Sequence, residues 1–188
     1  LIEKYGQKIG VFLPRVAHDS EYNTLKELLK FAKQHDIKNI LCGNLGQIIL
    51  CKEFEFDIHG DFGLNIYNSL SAGFFREMGL KSIIISFELN FNRIKEIAAA
   101  DTGIIAYGRL PFMIFRNCVK KQCHKNEFLT DRIGKDFLLT CDFECRNIMW
   151  NADKLYLTDK DLNGLGFSQL IFTDENAEVC EEIINEYM

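Results

Sequence analysis

Two hydrophobic rhythms alternate along this chain. Short continuous apolar runs are followed by stretches in which apolar residues return every three or four positions. Ile9–Leu13 (IGVFL) reads as a buried strand closed by Pro14. A helix follows from Glu21 to Gln34, with Leu25, Leu28, Leu29 and Ala32 on one face and Ser20 as its expected N-cap. Lys38–Cys42 is the next strand, and Leu45–Cys51 a shorter helix. Phe56–His59 and Leu64–Tyr67 read as one strand interrupted by Gly60-Asp61-Phe62-Gly63. Asn68 or Ser69 then caps a helix that runs to Met78 and stops at Gly79. Lys81–Phe87 is apolar enough to be covered on both faces. A helix over Asn92–Ala99 and a strand over Gly103–Tyr107 complete five strands and four helices, at a repeat of about 21 to 28 residues. Such alternation predicts parallel pairing through helical crossovers, as in doubly wound sheets and (β/α)8 barrels.

The rhythm changes after Arg109. Pro111 breaks the regularity, and Phe112–Phe115 and Phe137–Thr140 are expected strands beside two cysteine pairs. Asn151–Asp161 reads as irregular or β structure. A last helix is expected over Asp174–Tyr187, its acidic residues Asp174, Glu175, Glu178, Glu181, Glu182 and Glu186 forming a solvated face. The expected organisation is a partial (β/α) barrel-like domain over 1–109, then a cysteine-rich β extension with the C-terminal helix over 110–188.

Four of the seven cysteines, Cys118, Cys123, Cys141 and Cys145, fall in that second region as C-x4-C and C-x3-C. Two close pairs joined by a loop can enclose one metal ion or a small iron–sulfur cluster. Reduced packing thiols, disulfides and a redox pair are the alternatives. Cys42, Cys51 and Cys180 lie on apolar faces and read as packing residues.

Composition narrows this picture a little. A net charge of −5 gives no general basic footprint for nucleic acid, although Arg116, Lys120, Lys121, His124, Lys125, Arg132 and Lys135 surround the cysteines. No apolar run approaches the ~20 residues of a membrane span, and the first residues lack a signal-peptide core. The expected compartment is the cytoplasm, where thiols stay reduced. The chain opens on Leu1 without a Met, so a processed product or a piece of a longer chain is expected. Partners are then an upstream half of the same protein, or a second copy joined through exposed sheet edges.

Parallel α/β architectures bind ligands beyond the carboxyl ends of their strands. Arg15, His18, Asn44, His59, Asp61, Asn65, Asn68, Glu88, Asn90, Tyr107 and Arg109 are the polar residues expected there. Glu88 follows a fully apolar strand and is the foremost candidate for a general base or substrate ligand; a helix-start carboxylate is the competing role. Asp61 sits in GDFG, where a turn role competes with catalysis. Asn65 and Asn68 can hydrogen-bond substrate, with capping as the alternative for Asn68. Arg109 and Arg116 can clamp a carboxylate or phosphate, or form surface ion pairs. His18 and His59 stand alone in the sequence. No GxGxxG, P-loop, GxSxG or HExxH occurs, so the usual dinucleotide, NTPase, serine-hydrolase and zinc-protease signatures are missing.

GDFGLNIYNSLSAGFFREMGLKSIIISFELN, YGRLPFMIFRNC, and the C-x17-C-x3-C set followed by NIMWNADKLYLTDK occur in that order. Together they resemble the later part of the collagenase-like proteins of peptidase family U-32, over roughly 39–160. The resemblance implies part of a TIM-type barrel. Some members are called collagenases; others resemble enzymes that hydroxylate RNA bases or the ubiquinone ring with a cysteine-ligated iron–sulfur cluster. It implies Cys118, Cys123, Cys141 and Cys145 as the ligands. The resulting expectation is a cluster-dependent (or zinc-dependent) enzyme acting on RNA, with Glu88 and Asp61 catalytic and Asn65, Asn68, Tyr107, Arg109 and Arg116 on the substrate side. A collagenase-like peptidase and a non-catalytic zinc-stapled domain are the competing functions.

Overall fold

The computed structural model describes residues 8–119, 127–143 and 146–188. It is a mixed α/β structure divided into two compact units: residues up to Ile104 with Leu162–Phe167, and Ile105–Asp161 with Ser168–Met188.

In the first unit the predicted alternation forms a parallel array. Strands β1 (Gly10–Phe12), β2 (Asn39–Cys42), β3 (Asp57–Gly60) and β4 (Ser82–Ile84) pair in chain order, and β4 pairs with the start of β5 (Thr102–Phe115). Helices α1 (Tyr22–Gln34), α2 (Leu45–Glu53), α3 (Ser69–Glu77) and α4 (Phe91–Ile97) fill the connections. On one face of the strands Ile40, Ile58 and Ile83 are buried. The helices bury Leu25, Leu29, Ile48, Leu50, Phe75 and Ile94. Each such apolar side chain contributes about 1.5–3 kcal/mol when removed from water.

The helix starts share one device. Asn44, Asn68 and Asn90 each accept one of the free first-turn backbone N–H groups of α2, α3 and α4, from Gly46, Ser71 and Arg93. Ser20 is not the cap of α1. It lies in a 3-10 turn, Asp19–Glu21, where the Glu21 carboxylate accepts from the His18 N–H.

The expected strand over Leu64–Tyr67 is absent. Phe62–Leu64 forms a 3-10 turn, and Asn65 takes a left-handed conformation (φ 51°, ψ 54°) that ends it.

The second unit is antiparallel. β5 pairs with β8 (Asn147–Tyr156), β8 with β7 (Asp136–Cys141), and β7 with β6 (Phe128–Thr130). β9 (Phe167–Ile171) also pairs with β5. Pro111 does not end β5. The strand runs on through 14 residues, and the proline falls between two register shifts, where a missing N–H is tolerated. Gly108 is required at its own position: φ is +114°, and a Cβ would stand 2.0 Å from the Ile171 carbonyl oxygen. Helix α5 (Ala177–Glu186) starts three residues later than expected, capped by Asn176. Asp174 and Glu175 therefore precede it, and Glu175 is buried rather than on a solvated helix face.

Among the described residues no helix is long and apolar enough to cross a membrane.

Candidate functional site

The carboxyl ends of β1, β3 and β4 gather one group of side chains. Arg15, just beyond β1, donates from Nε to Asp61 Oδ2 at 2.7 Å. Asp61 is fully buried, and its Oδ1 has no partner. The Arg15 guanidinium lies 4.0 Å from the Phe62 ring centroid, and Phe62 meets the Phe87 ring edge-on at 5.1 Å. Glu88 follows Phe87, is exposed, and accepts a hydrogen bond from Tyr67 Oη. A phenol beside the carboxylate can hold it in place or pass it a proton. Asn65 is exposed on its left-handed turn. Asn68 spends its side chain on the α3 cap, its backbone N–H donating in turn to Ser71 Oγ.

A second group crosses the parallel strands. His59 on β3 lies between Asn39 on β2 and Ser82 on β4. Ser82 Oγ is 2.8 Å from His59 Nδ1, and Asn39 Oδ1 is 3.1 Å from Nε2. A carbonyl oxygen can only accept, so the ring proton belongs on Nε2 and Ser82 donates to Nδ1. Burial pushes the His59 pKa down, with Lys81 adding to this and Asp57 opposing it, so the ring is a neutral base at pH 7. Sequence reasoning missed this set. About twenty residues separate each member from the next, and only strand register aligns them.

In the second unit Tyr107 and Arg109 join an ion-pair network. Arg109 and Lys154 lie directly opposite each other on β5 and β8, a like-charge pairing that is unfavourable by itself. Asp174 bridges them, 3.3 Å from Arg109 Nη2 and 3.0 Å from Lys154 Nζ. Glu175, 1% exposed, accepts at Oε1 from Lys154 (2.6 Å) and Tyr107 Oη (2.9 Å). Its Oε2 accepts from the backbone N–H groups of Thr173 and Asp174. Burial pushes the Glu175 carboxyl up, but the bonds from Lys154, Thr173 and Tyr107 outweigh it and hold the pKa at about 2. Arg109 also donates to the carbonyls of Asn151 and Ala152. Arg116 is exposed beyond the end of β5.

The register of this unit brings two of the four predicted ligands to one end. Phe115 and Cys141 both pair with Asn147, from opposite sides of β8. Cys118 follows Phe115 by three residues. Strands two apart are about 10 Å from each other, a span that thiolates on opposite sides of a cluster can bridge. Cys118 and Cys141 are free thiols, and the buried Asn147 amide nitrogen lies 3.6 Å from Cys141 Sγ, as an N–H donor to a thiolate ligand would. Cys123 and Cys145 lie outside the described residues, as do Lys120, Lys121, His124 and Lys125. Among the described residues no three His, Cys, Asp or Glu side chains come together to hold a metal ion, so the thiolate set would need Cys123 and Cys145 as well. Cys42 and Cys51 are buried with their sulfurs 3.6 Å apart; that contact and burial push the Cys42 pKa well up, away from ligand or nucleophile chemistry.

A parallel β/α repeat and an antiparallel unit with a C-terminal helix define a mixed α/β protein. The chain belongs to peptidase family U32, whose family model matches residues 1–183. It is also similar to an uncharacterized protease of Methanocaldococcus jannaschii, at 30% identity over 91 residues. That match covers 48% of this chain and 22% of the relative, so the chain spans a minor part of the relative's length. No solved structure matches the chain.

Proposed function

We propose that this chain belongs to a cysteine-ligated iron–sulfur enzyme that hydroxylates or otherwise modifies RNA bases in the cytoplasm, with its parallel repeat forming part of a TIM-type barrel. The observation that carries the reading is the register that pairs both Cys141 and Phe115, three residues before Cys118, with Asn147. The family resemblance supplies the substrate class. Cys118, Cys123, Cys141 and Cys145 would hold the cluster, which supplies electron transfer when bound. Zinc at the same thiolates would make the region a structural staple. The Glu88–Tyr67 pair orients substrate or moves its proton at the carboxyl ends of the strands. Arg116 meets phosphate.

The deciding experiment is iron and sulfide analysis with a visible spectrum on protein purified without oxygen. Iron with sulfide and a broad thiolate-to-iron absorption, lost in Cys118→Ala and Cys141→Ala, supports the reading. Missing hydroxylated bases in RNA from a deletion strain would complete it. Zinc alone, or no metal, removes it.

One observation favours a second reading, peptide hydrolysis. Ser82, His59 and Asn39 form the nucleophile–base–orienter row of acyl-transfer enzymes. Ser82 Oγ would attack the peptide carbonyl as its proton moves to His59 Nδ1. His59 then protonates the leaving amine, and water hydrolyses the ester. Labelling by a fluorophosphonate at Ser82, lost in Ser82→Ala and His59→Gln, supports it. Unchanged peptide cleavage in both variants would sink it.

A further inference from the structure

We propose that Arg15 is an oxyanion-binding residue at the carboxyl ends of β1, β2 and β3, taking a carboxylate or phosphate, with Asp61 as its positioning residue. The proposal does not depend on the cysteines or on either reading above.

Arg15 is held by a carboxylate and two aromatic rings. Nε donates to Asp61 Oδ2, and the guanidinium carbon lies 4.0 Å from the Phe62 ring centroid and 5.1 Å from that of Phe12. These contacts fix the plane of the group. The chain exits of all three strands are shaped around it. A Cβ on Gly43 would stand 3.1 Å from Arg15 Cγ and 3.2 Å from Asp61 Oδ2. A Cβ on Gly63 would stand 2.8 Å from the Gly43 carbonyl oxygen and 3.4 Å from Arg15 Cδ. The Asn44 amide donates to the Arg15 carbonyl at 3.4 Å, tying the segment beyond β1 to the start of α2.

The same unit shows what an arginine–aspartate pair looks like when it only joins elements. Arg76 meets Asp101 fork to fork, Nε to Oδ2 at 2.6 Å and Nη2 to Oδ1 at 2.8 Å, with a further bond to Thr102. Arg15 and Asp61 make a single contact instead. The second carboxylate oxygen is left buried without a partner, although the side chain is fully desolvated. The arginine side chain is 11% exposed, and among the described residues its Nη groups donate to no protein acceptor. A buried carboxylate that forgoes its second bond is retained for where it points the guanidinium. The terminal Nη edge is then left as a rigid pair of donors, the geometry that binds a planar or tetrahedral oxyanion through two parallel bonds. It stands beyond the carboxyl ends of parallel strands, where ligands of such sheets bind.

The test is a titration of the whole chain with inorganic phosphate and, separately, acetate, at constant ionic strength set with chloride. Binding is read from the Arg15 side-chain Nη resonances and from the thermal midpoint. The expected result is a saturable shift with one of the two anions, which names the group as phosphate or carboxylate. Arg15→Gln abolishes it. Arg15→Lys, which keeps the charge but not the fork, weakens it about tenfold. Asp61→Ala, which removes the acceptor of Nε, weakens it about fivefold with Arg15 still in place, whereas Asp61→Asn, which still accepts from Nε, does not weaken it. Competition by a single-stranded oligoribonucleotide would assign a phosphate site to RNA, and its absence would assign it to a small molecule. A midpoint shift of equal size in Arg15→Gln and Arg15→Lys, or no saturation with either anion, overturns the proposal.

Discussion

Asp61 and Glu175 are both buried carboxylates facing basic side chains, one in each unit, and they are treated in opposite ways. Glu175 has both oxygens occupied, by Lys154, Tyr107 and two backbone N–H groups. Asp61 has one oxygen bonded and the other bare. A fully bonded carboxylate is an architectural part: Glu175 neutralises Lys154 while Asp174 bridges Lys154 and Arg109, which lets β5 and β8 stay paired. A half-bonded one costs stability where it stands, so its worth lies in the arginine it orients. Bond completeness, more than burial or charge, separates the two roles.

The largest effect that bears on this contrast is expected from Glu175→Ala. It strips the acceptor from Tyr107 Oη and from the Thr173 and Asp174 N–H groups, leaves Lys154 with Asp174 alone, and should lower unfolding free energy by about 3 kcal/mol in urea. A loss below 1 kcal/mol would show that the network is not architectural. The acid limb comes next. Glu175 titrates at about 2 in the fold against an ordinary 4.5, and Asp174 is lowered too. Both carboxyls thus bind fewer protons folded than unfolded. Their stabilisation is complete above about 4.5 and drains as pH falls toward 2. Urea midpoints measured from pH 5 to pH 2 should fall steeply in the parent and more gently in Glu175→Gln. Asp61→Asn should cost only about 1 kcal/mol, because Asn still accepts from Arg15 and the arginine can reach water. A loss as large as that of Glu175→Ala would erase the distinction. The smallest change is expected from Arg93→Ala, which removes an exposed pair with Glu96 and should move stability by less than about 0.5 kcal/mol.

The parallel unit was legible in the sequence because each strand is buried on its helix-covered face and each helix has one apolar stripe. Both periods survive in Ile40, Ile58 and Ile83 and in Leu25 and Leu29. The antiparallel unit was less so. β8 (NIMWNADKLY) has three consecutive apolar residues, Ile148–Trp150, and then carries Asp153 and Lys154, because its partners supply the neutralising charges from far along the chain. Pro111 looked like a strand end because a bulge is invisible until its partner is known. Among the candidates, Glu88 and Asp61 could be picked by their place after apolar strands. Arg15 as the partner of Asp61, and the Asn39–His59–Ser82 row, could not, since register alone brings them together. The Asn68 cap was readable from Asn-Ser-x-Ser before an apolar stripe.

Gly108 also has a consequence during synthesis. β5 leaves the ribosome before any of its antiparallel partners exists: Tyr107 pairs with Tyr156, and the Ile171 backbone that presses on Gly108 arrives later still. At translation speeds of about 5–20 residues per second, that edge waits several seconds in a nascent chain. The waiting strand includes the exposed Phe112 and Met113, a stretch suited to chaperone capture until β8 and β9 emerge.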